Sequence, residues 1–385
     1  RTLERRLPDA DATGATEPLR VALDATPLFG ARTGVGMFTM GVLDALADRP
    51  DLEVVAYAVT WRGRGEVSQM LPSRRVRPAR SPMAARPLRW AWMRWNLPPI
   101  EWWTDEVDVV HGTNFVVPPT REAGEVVTVH DLTPLRFPEL AHEDTLAYVP
   151  LIKRALERGA HVHTPSTFIA EEVVEHFGVD RERVHAVAEG VPALPDVAAD
   201  EQVAGGAPYI LTIGTVEPRK DHPLLVRAFD AVAGDIPDLH LVIAGGDGWG
   251  TAALADAMAA AKHRDRIVRL GYVDDEARAG LLNGATLFAF PSVYEGFGLP
   301  PLEAMRAGVP VVATAAGALP EVLDDAAVIV PVGDVDSLAD ALRRAVLEGA
   351  LRTRLVAAGR LRVEGYSWAR CAEGLVDVYR RVRPS

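Results

Sequence analysis

Two carboxylates stand out for their setting. Glu295 and Glu303 lie in the run FPSVYEGFGLPPLEAMRAGVP, from Phe290 to Pro310. The apolar stretch before it reads as a strand ending at Phe290. A glycine-rich turn follows, and the spacing predicts a helix beginning near Pro300, where proline suits the first turn. The N–H groups of Phe297, Gly298 and Leu299 then point out of that helix start, which attracts anions through unpaired N–H groups and its dipole. Gly296 and Gly298 let a ligand approach the backbone. Two carboxylates beside such an anion site can accept hydrogen bonds from the hydroxyl groups of a bound ligand. A plainer explanation stays open: the dipole alone favours acids at a helix N-terminus.

The chain has 385 residues and a net charge of −12. That balance argues against non-specific nucleic-acid binding. It also means that an acidic chain must place positive groups locally to hold an anionic ligand. Arginine dominates the bases, and the only lysines are Lys153, Lys220 and Lys262. The single cysteine, Cys371, excludes an internal disulfide or a cysteine metal cluster. Other signals carry less. Gly34-x-Gly36 lacks the third glycine of a dinucleotide loop, because position 39 is threonine, and no acid ends the second strand. Asp334 and Asp336 form a D-x-D, but their place before a helical pattern reads as capping. The histidines lack H-E-x-x-H spacing, and no G-x-S-x-G turn is present. No metal site and no cofactor are expected.

These residues need elements to hold them. Apolar runs alternate with helical patterns along the chain. Strands are expected at residues 20–24, 53–59, 107–111, 125–130, 161–164 and 184–187. In the second half they are expected at 209–213, 239–244, 266–270, 286–290, 309–313 and 327–330. Many are continuous Val/Ile/Leu runs, which suits strands buried on both faces of a parallel sheet. Helices fall between them, as at 220–233 and 336–347. The pattern is α/β, two successive doubly wound units. Expected boundaries are a disordered tail at 1–18, a first domain at 19–197, a second at 205–365 and a final helix within 366–385. Ligands of open α/β sheets bind outside the carboxyl ends of the strands, so two such units face to face make a deep cleft.

The run from Phe290 to Pro310 resembles the E-x7-E signature of the retaining GT-B glycosyltransferases of family four. Other segments are similar to that family at matching places. GTVEPRKDH (Gly214–His222) resembles its strand-to-helix loop, VIAGGDG (Val242–Gly248) its second strand and glycine turn, and Gly271–Val273 the loop beside the nucleotide base. PVVATAAGALPE (Pro310–Glu321) matches the next strand and turn. In the first half, RTGVG (Arg32–Gly36) resembles the glycine loop that meets diphosphate and acceptor, and VHDLTPLRFPE (Val129–Glu139) the histidine loop that contacts the donor sugar. The forms of these two loops resemble the mannosyltransferase B-like branch.

The resemblance implies a GT-B fold, with the C-terminal helix crossing back to the first domain. It implies a nucleotide-diphosphate sugar as donor, GDP-mannose by the branch, and a glycan or lipid-linked glycan as acceptor. Arg219 and Lys220 would hold the diphosphate without a metal. Tyr272 and Val273 would lie by the base, and Gly34, Gly36, Gly214, Gly296, Phe297, Gly298, Leu299 and Glu303 would bind the donor. Glu295 would position the sugar rather than attack it. His130 would contact the donor sugar through its ring or its carbonyl, or else cap a strand end. An epimerase of the same fold and a non-catalytic nucleotide-sugar-binding protein are the alternatives.

The stretch from Arg62 to Trp103 is unusual. Nine arginines fall between Arg62 and Arg94 against one acid, Glu66, and five of the eight tryptophans lie within it. Basic and aromatic residues together suit an anionic membrane surface or a lipid-linked acceptor. A solvated arginine loop leading into a core helix is the other reading. No apolar run reaches about 18 residues, and the start of the chain lacks the apolar centre of a signal peptide. The expected location is cytoplasmic, with peripheral contact at the inner face of the membrane.

Overall fold

The computed structural model describes residues 17–29, 34–61, 66–80 and 83–384. Most of the expected tail, Arg32 and Thr33 of the glycine loop, and residues 62–65, 81 and 82 of the arginine stretch lie outside them.

The first sheet comprises β1 (Leu19–Asp24), β2 (Leu52–Tyr57), β3 (Arg77–Pro78), β4 (Val109–Gly112), β5 (Gly124–Thr128), β6 (His161–Thr164) and β7 (Val184–Ala186). The second comprises β8 (Tyr209–Ile213), β9 (His240–Ala244), β10 (Ile267–Gly271), β11 (Leu287–Phe290), β12 (Val311–Thr314) and β13 (Ala327–Val330). The orders are β3-β2-β1-β4-β5-β6-β7 and β10-β9-β8-β11-β12-β13. Every pairing is parallel. The central strands are buried along their whole length, as VVHG of β4 and LFAF of β11 illustrate, which is why their apolar runs are continuous rather than alternating. All twelve expected strands form. The addition is β3, a two-residue edge strand of Arg and Pro with no apolar run to reveal it. In each sheet the winding reverses beside the first strand, between β1 and β4 and between β8 and β11. Ligands of open sheets bind at such switch points.

The C-terminal helix Trp368–Val382 packs on the first sheet, as expected from the GT-B resemblance. Its Cys371, Leu375, Val376 and Tyr379 join one core with Val21, Leu23 and Phe38. Trp368 occupies the space a side chain at Gly41 or Gly190 would need. Tyr379 also starts a buried hydrogen-bond chain. Its hydroxyl lies 2.6 Å from His111 Nδ1, His111 Nε2 lies 2.7 Å from Thr128 Oγ1, and Thr128 Oγ1 lies 2.9 Å from His163 Nδ1. His163 Nε2 ends the chain 2.9 Å from the Val187 carbonyl. A carbonyl only accepts, so His163 carries its proton on Nε2 and Thr128 donates to Nδ1. His111 then donates from Nε2 and accepts from Tyr379. Every member is satisfied with both rings neutral. Burial pushes both histidines down, His163 to about 3.

The halves also meet directly. Glu321 of the second accepts from the N–H groups of Thr167 and Phe168 at 2.9 and 2.8 Å. This carboxylate caps the helix Thr167–Phe177 of the first half, where the dipole favours it. The Tyr294 hydroxyl accepts from Leu132 N–H at 3.1 Å and donates to Glu172.

Candidate active site

Between the carboxyl ends of the two sheets lies a cleft of about 530 Å³. The switch-point topology explains its contents. Arg219 and Lys220 follow β8, and Glu295 follows its neighbour β11. Two segments 75 residues apart thereby become adjacent.

Glu295 is almost fully buried. Lys220 Nζ reaches its Oε1 at 2.7 Å, Arg219 reaches its Oε2 at 2.7 Å, and Ser292 Oγ donates at 2.6 Å. Burial pushes the carboxyl up. The Arg219 and Lys220 charges, with hydrogen bonds from Lys220 and Ser292, outweigh that and hold it at about 2. Arg219 also pairs with Glu217 at 2.7 Å and donates to the Tyr294 carbonyl at 2.8 Å. Lys220 sits 4.6 Å from the Phe290 ring centre. The two bases are thus compensated here by Glu295 and Glu217.

The expected helix runs Leu299–Arg306, capped by Gly298 at φ 110°. Pro300 and Pro301 lack N–H groups. Among the described residues, those of Phe297, Gly298 and Leu299 have no recorded acceptor. Gly296 is a close approach: a Cβ there would fall 1.7 Å from the His130 carbonyl oxygen. The Ser166 hydroxyl donates to the Gly296 carbonyl at 2.9 Å. The turn is therefore fixed from the opposite half.

Glu303 corrects one expectation. No acid occupies the first turn of its helix, so the dipole does not account for it. Nor does it share Arg219 and Lys220. Its partner is Arg278, at 3.0 and 3.2 Å to the two carboxylate oxygens. Burial pushes Glu303 up to about 7, and Arg278 offsets this only in part. Arg278 lies in the helix Asp275–Gly284 and also reaches Asp275 at 3.2 Å. Sequence reading missed it, although it is a cation three residues from an acid at a helix start.

His130 ends the loop after β5. Its Nε2 lies 2.8 Å from the Thr113 carbonyl and its Nδ1 lies 3.2 Å from Glu189 Oε1. Phe38 and Phe115 meet the ring edge-on. Both ring nitrogens are engaged, so this arrangement leaves neither free for a sugar. Nε2 must donate to the carbonyl.

Gly34, His130, Arg219, Lys220, Glu295 to Leu299 and Glu303 all line the cleft. Four expected residues are not among its lining. Gly36 is buried inside the helix Gly34–Ala47, where a Cβ would crowd the Pro27 carbonyl. Gly214 lies beneath the Lys220 side chain. Val273 packs against the second core, and Tyr272 stands 64% exposed. Asp334 caps the helix Val335–Leu347 by accepting from Ser337 N–H, as its setting suggests.

Comparison with known proteins agrees with this architecture. Residues 196–362 match the family model "Glycosyl transferases group 1", and residues 32–193 match "Glycosyltransferase Family 4". The O-antigen chain mannosyltransferase B of Escherichia coli is 30% identical over 283 residues, 71% of this chain and 74% of that protein. A phosphatidyl-myo-inositol mannosyltransferase of Mycobacterium leprae is 37% identical over 173 residues, 44% of this chain and 45% of that one. Among solved structures, sucrose-phosphate synthase from Thermosynechococcus elongatus superposes with TM-score 0.75 at 22% identity, covering 94% of this chain and 98% of that one. Anabaena HepE in complex with UDP and glucose gives TM-score 0.72 at 16% identity, covering 94% and 100%. With two doubly wound sheets closing on one cleft and both halves matched, the chain belongs to the family 4 glycosyltransferases, of GT-B fold.

Proposed function

We propose that the chain transfers mannose from GDP-mannose to a glycan or lipid-linked glycan, with retention at the anomeric carbon and without a metal. The observation that carries this reading is the floor of the cleft: Arg219, Lys220 and the free N–H groups of Phe297 to Leu299, beside Glu295 and Glu303. The mannose assignment rests on the mannosyltransferase relatives.

In the reaction, the bond from the anomeric carbon to the diphosphate oxygen breaks and its electron pair leaves with the diphosphate. The acceptor hydroxyl oxygen bonds to that carbon from the same face, and its proton passes to the departing diphosphate. Arg219, Lys220 and the helix start meet the growing negative charge. Preorganised groups of this kind contribute roughly 3 kcal/mol each. Glu295 holds both cations in place and orients sugar hydroxyls. Glu303 accepts from the ribose hydroxyls, steadied by Arg278. NMR of the product anomer in the presence of EDTA tests this. An α product from an α donor is expected, whereas inversion or a strict metal requirement refutes it. Product formation without any acceptor would favour the epimerase.

We also propose that the first half rests on an anionic membrane at the cytoplasmic face. The helix Ala85–Trp95 turns Leu88 and Trp92 inward. Trp90, Met93 and, just beyond the helix, Leu97 form a second, exposed apolar stripe. Arg86 and Arg94 flank it, both exposed, on a chain that is otherwise acidic. Exposed aromatic and basic residues together favour the headgroup region. No helix among the described residues is long and apolar enough to cross a membrane. Co-sedimentation with phosphatidylglycerol vesicles at low salt, lost in Trp90→Ala/Met93→Ala, is expected. Retention of binding in that variant refutes the surface.

A further inference from the structure

The first-half wall of the cleft has a polar set that donor binding does not use. Glu189 follows β7 and is 4% exposed. Its Oε1 takes the His130 contact at 3.2 Å. Its Oε2 has no partner among the described residues, and the residue lines the cleft. Asn114 and Tyr148 line the same wall, and neither side chain has a hydrogen-bond partner among the described residues. Tyr148 stacks on Phe115 with ring centres 5.1 Å apart and planes 17° from parallel. Phe115 holds a left-handed backbone at φ 59°. For a bulky residue that conformation is costly, and such strain gathers at ligand sites. Its N–H donates to the Thr128 carbonyl at 2.9 Å, which fixes it there.

We propose that Glu189, Asn114 and Tyr148 form the acceptor site, and that its occupant is an uncharged pyranoside rather than a phosphorylated polyol. Resting on the glycosyltransferase reading above, this names the acceptor chemistry of the same cleft. Glu189 Oε2 accepts from a ring hydroxyl, the Asn114 amide both donates and accepts, and the Tyr148 ring faces the sugar. Charge selects against a phosphate. Among the described residues, no Lys or Arg of the first half lines this wall, while Asp131 and Glu189 both do. A phosphate on this wall would face the Asp131 carboxylate and the His130–Glu189 pair, while Arg219, Lys220 and Arg278 line the second half of the cleft, on the donor side, and like charges across an interface oppose binding. His130 and Thr113 lock the Glu189 carboxylate in place, so little ordering is required on binding.

Saturation-transfer NMR tests this with methyl α-D-mannopyranoside and D-inositol 3-phosphate as probes, with and without GDP. Wild type is expected to bind the glycoside and not the inositol phosphate. Glu189→Gln and Asn114→Ala should weaken glycoside binding at least about tenfold, as lost buried hydrogen bonds do, with GDP affinity unchanged as the control for folding. Equal glycoside binding in both variants, no glycoside binding by wild type, or preference for the inositol phosphate overturns the proposal. Failure of wild type to bind GDP is a separate result that counts against the donor reading.

Discussion

Replacing Glu295 by glutamine keeps the shape of the site and removes one charge. In the native protein the carboxyl is held at about 2 against an ordinary 4.5. That lowering corresponds to about 3 kcal/mol favouring the ionised form, and the group is too buried for solvent to screen much of it. Glu295→Gln should therefore destabilise the free protein by roughly 3 kcal/mol. At roughly 2 °C per kcal/mol, near the low end for large chains, the thermal midpoint falls by about 6 °C. Arg219 and Lys220 lose the anion they share, while Glu217 still compensates Arg219. A diphosphate then binds two less-neutralised cations, so GDP should stabilise the variant more than wild type. A tenfold gain in affinity adds about 1.4 kcal/mol at saturating GDP. Sugar transfer should nonetheless fall at least about a hundredfold, because the carboxylate that orients the sugar is gone. Differential scanning fluorimetry with and without GDP, beside a turnover assay, reads all three. A variant as stable as wild type, with an unaltered GDP response, would refute the placement of Glu295 as counter-ion to a diphosphate site.

Three further outcomes follow from the geometry. Burial pushes Glu303 up to about 7, and only its ionised form accepts from two ribose hydroxyls with both oxygens, so GDP affinity measured by calorimetry should fall roughly tenfold from about pH 8 to about pH 6; a flat profile argues against that role. Gly296→Ala would drive a Cβ into the His130 carbonyl, which is backbone and cannot swing away, so turnover should fall at least about tenfold by mispositioned reactants; wild-type kinetics would show that the halves need not meet there. Tyr379→Phe strips the donor from His111 Nδ1 and should cost about 1–3 kcal/mol in denaturant unfolding. Native His163 resists protonation down to about 3 while the unfolded chain binds the proton near 6.5. Stability should therefore decline as pH falls through that window, and unfolding midpoints independent of pH there would contradict the neutral chain.

The strands were legible because both faces of each central strand are buried, which writes itself into sequence as uninterrupted Val, Ile and Leu. β3 was not, since two edge residues carry no such pattern. The Phe290–Pro310 run disclosed the turn, the helix start and both glutamates, and the lysine at position 220 announced itself by rarity. Partnerships were not legible. Arg278 meets Glu303, and Glu189 meets His130, across 25 and 59 residues, and nothing local in the sequence encodes either distance. The resemblance put His130 beside a sugar through its ring or its carbonyl, and the fold engages both ring nitrogens with Thr113 and Glu189. Tyr272 and Val273, expected beside the nucleotide base, stand outside the cleft lining, because side-chain direction at the end of β10 depends on packing that a motif does not contain.

Calorimetric titration of GDP-mannose into the wild-type protein and Lys220→Ala, both in EDTA, tests the donor site most directly. Metal-free binding by wild type, weakened at least about tenfold when the diphosphate loses its lysine, is the result the structure predicts. Equal affinity in the two proteins, or no binding of GDP-mannose by wild type, would contradict it.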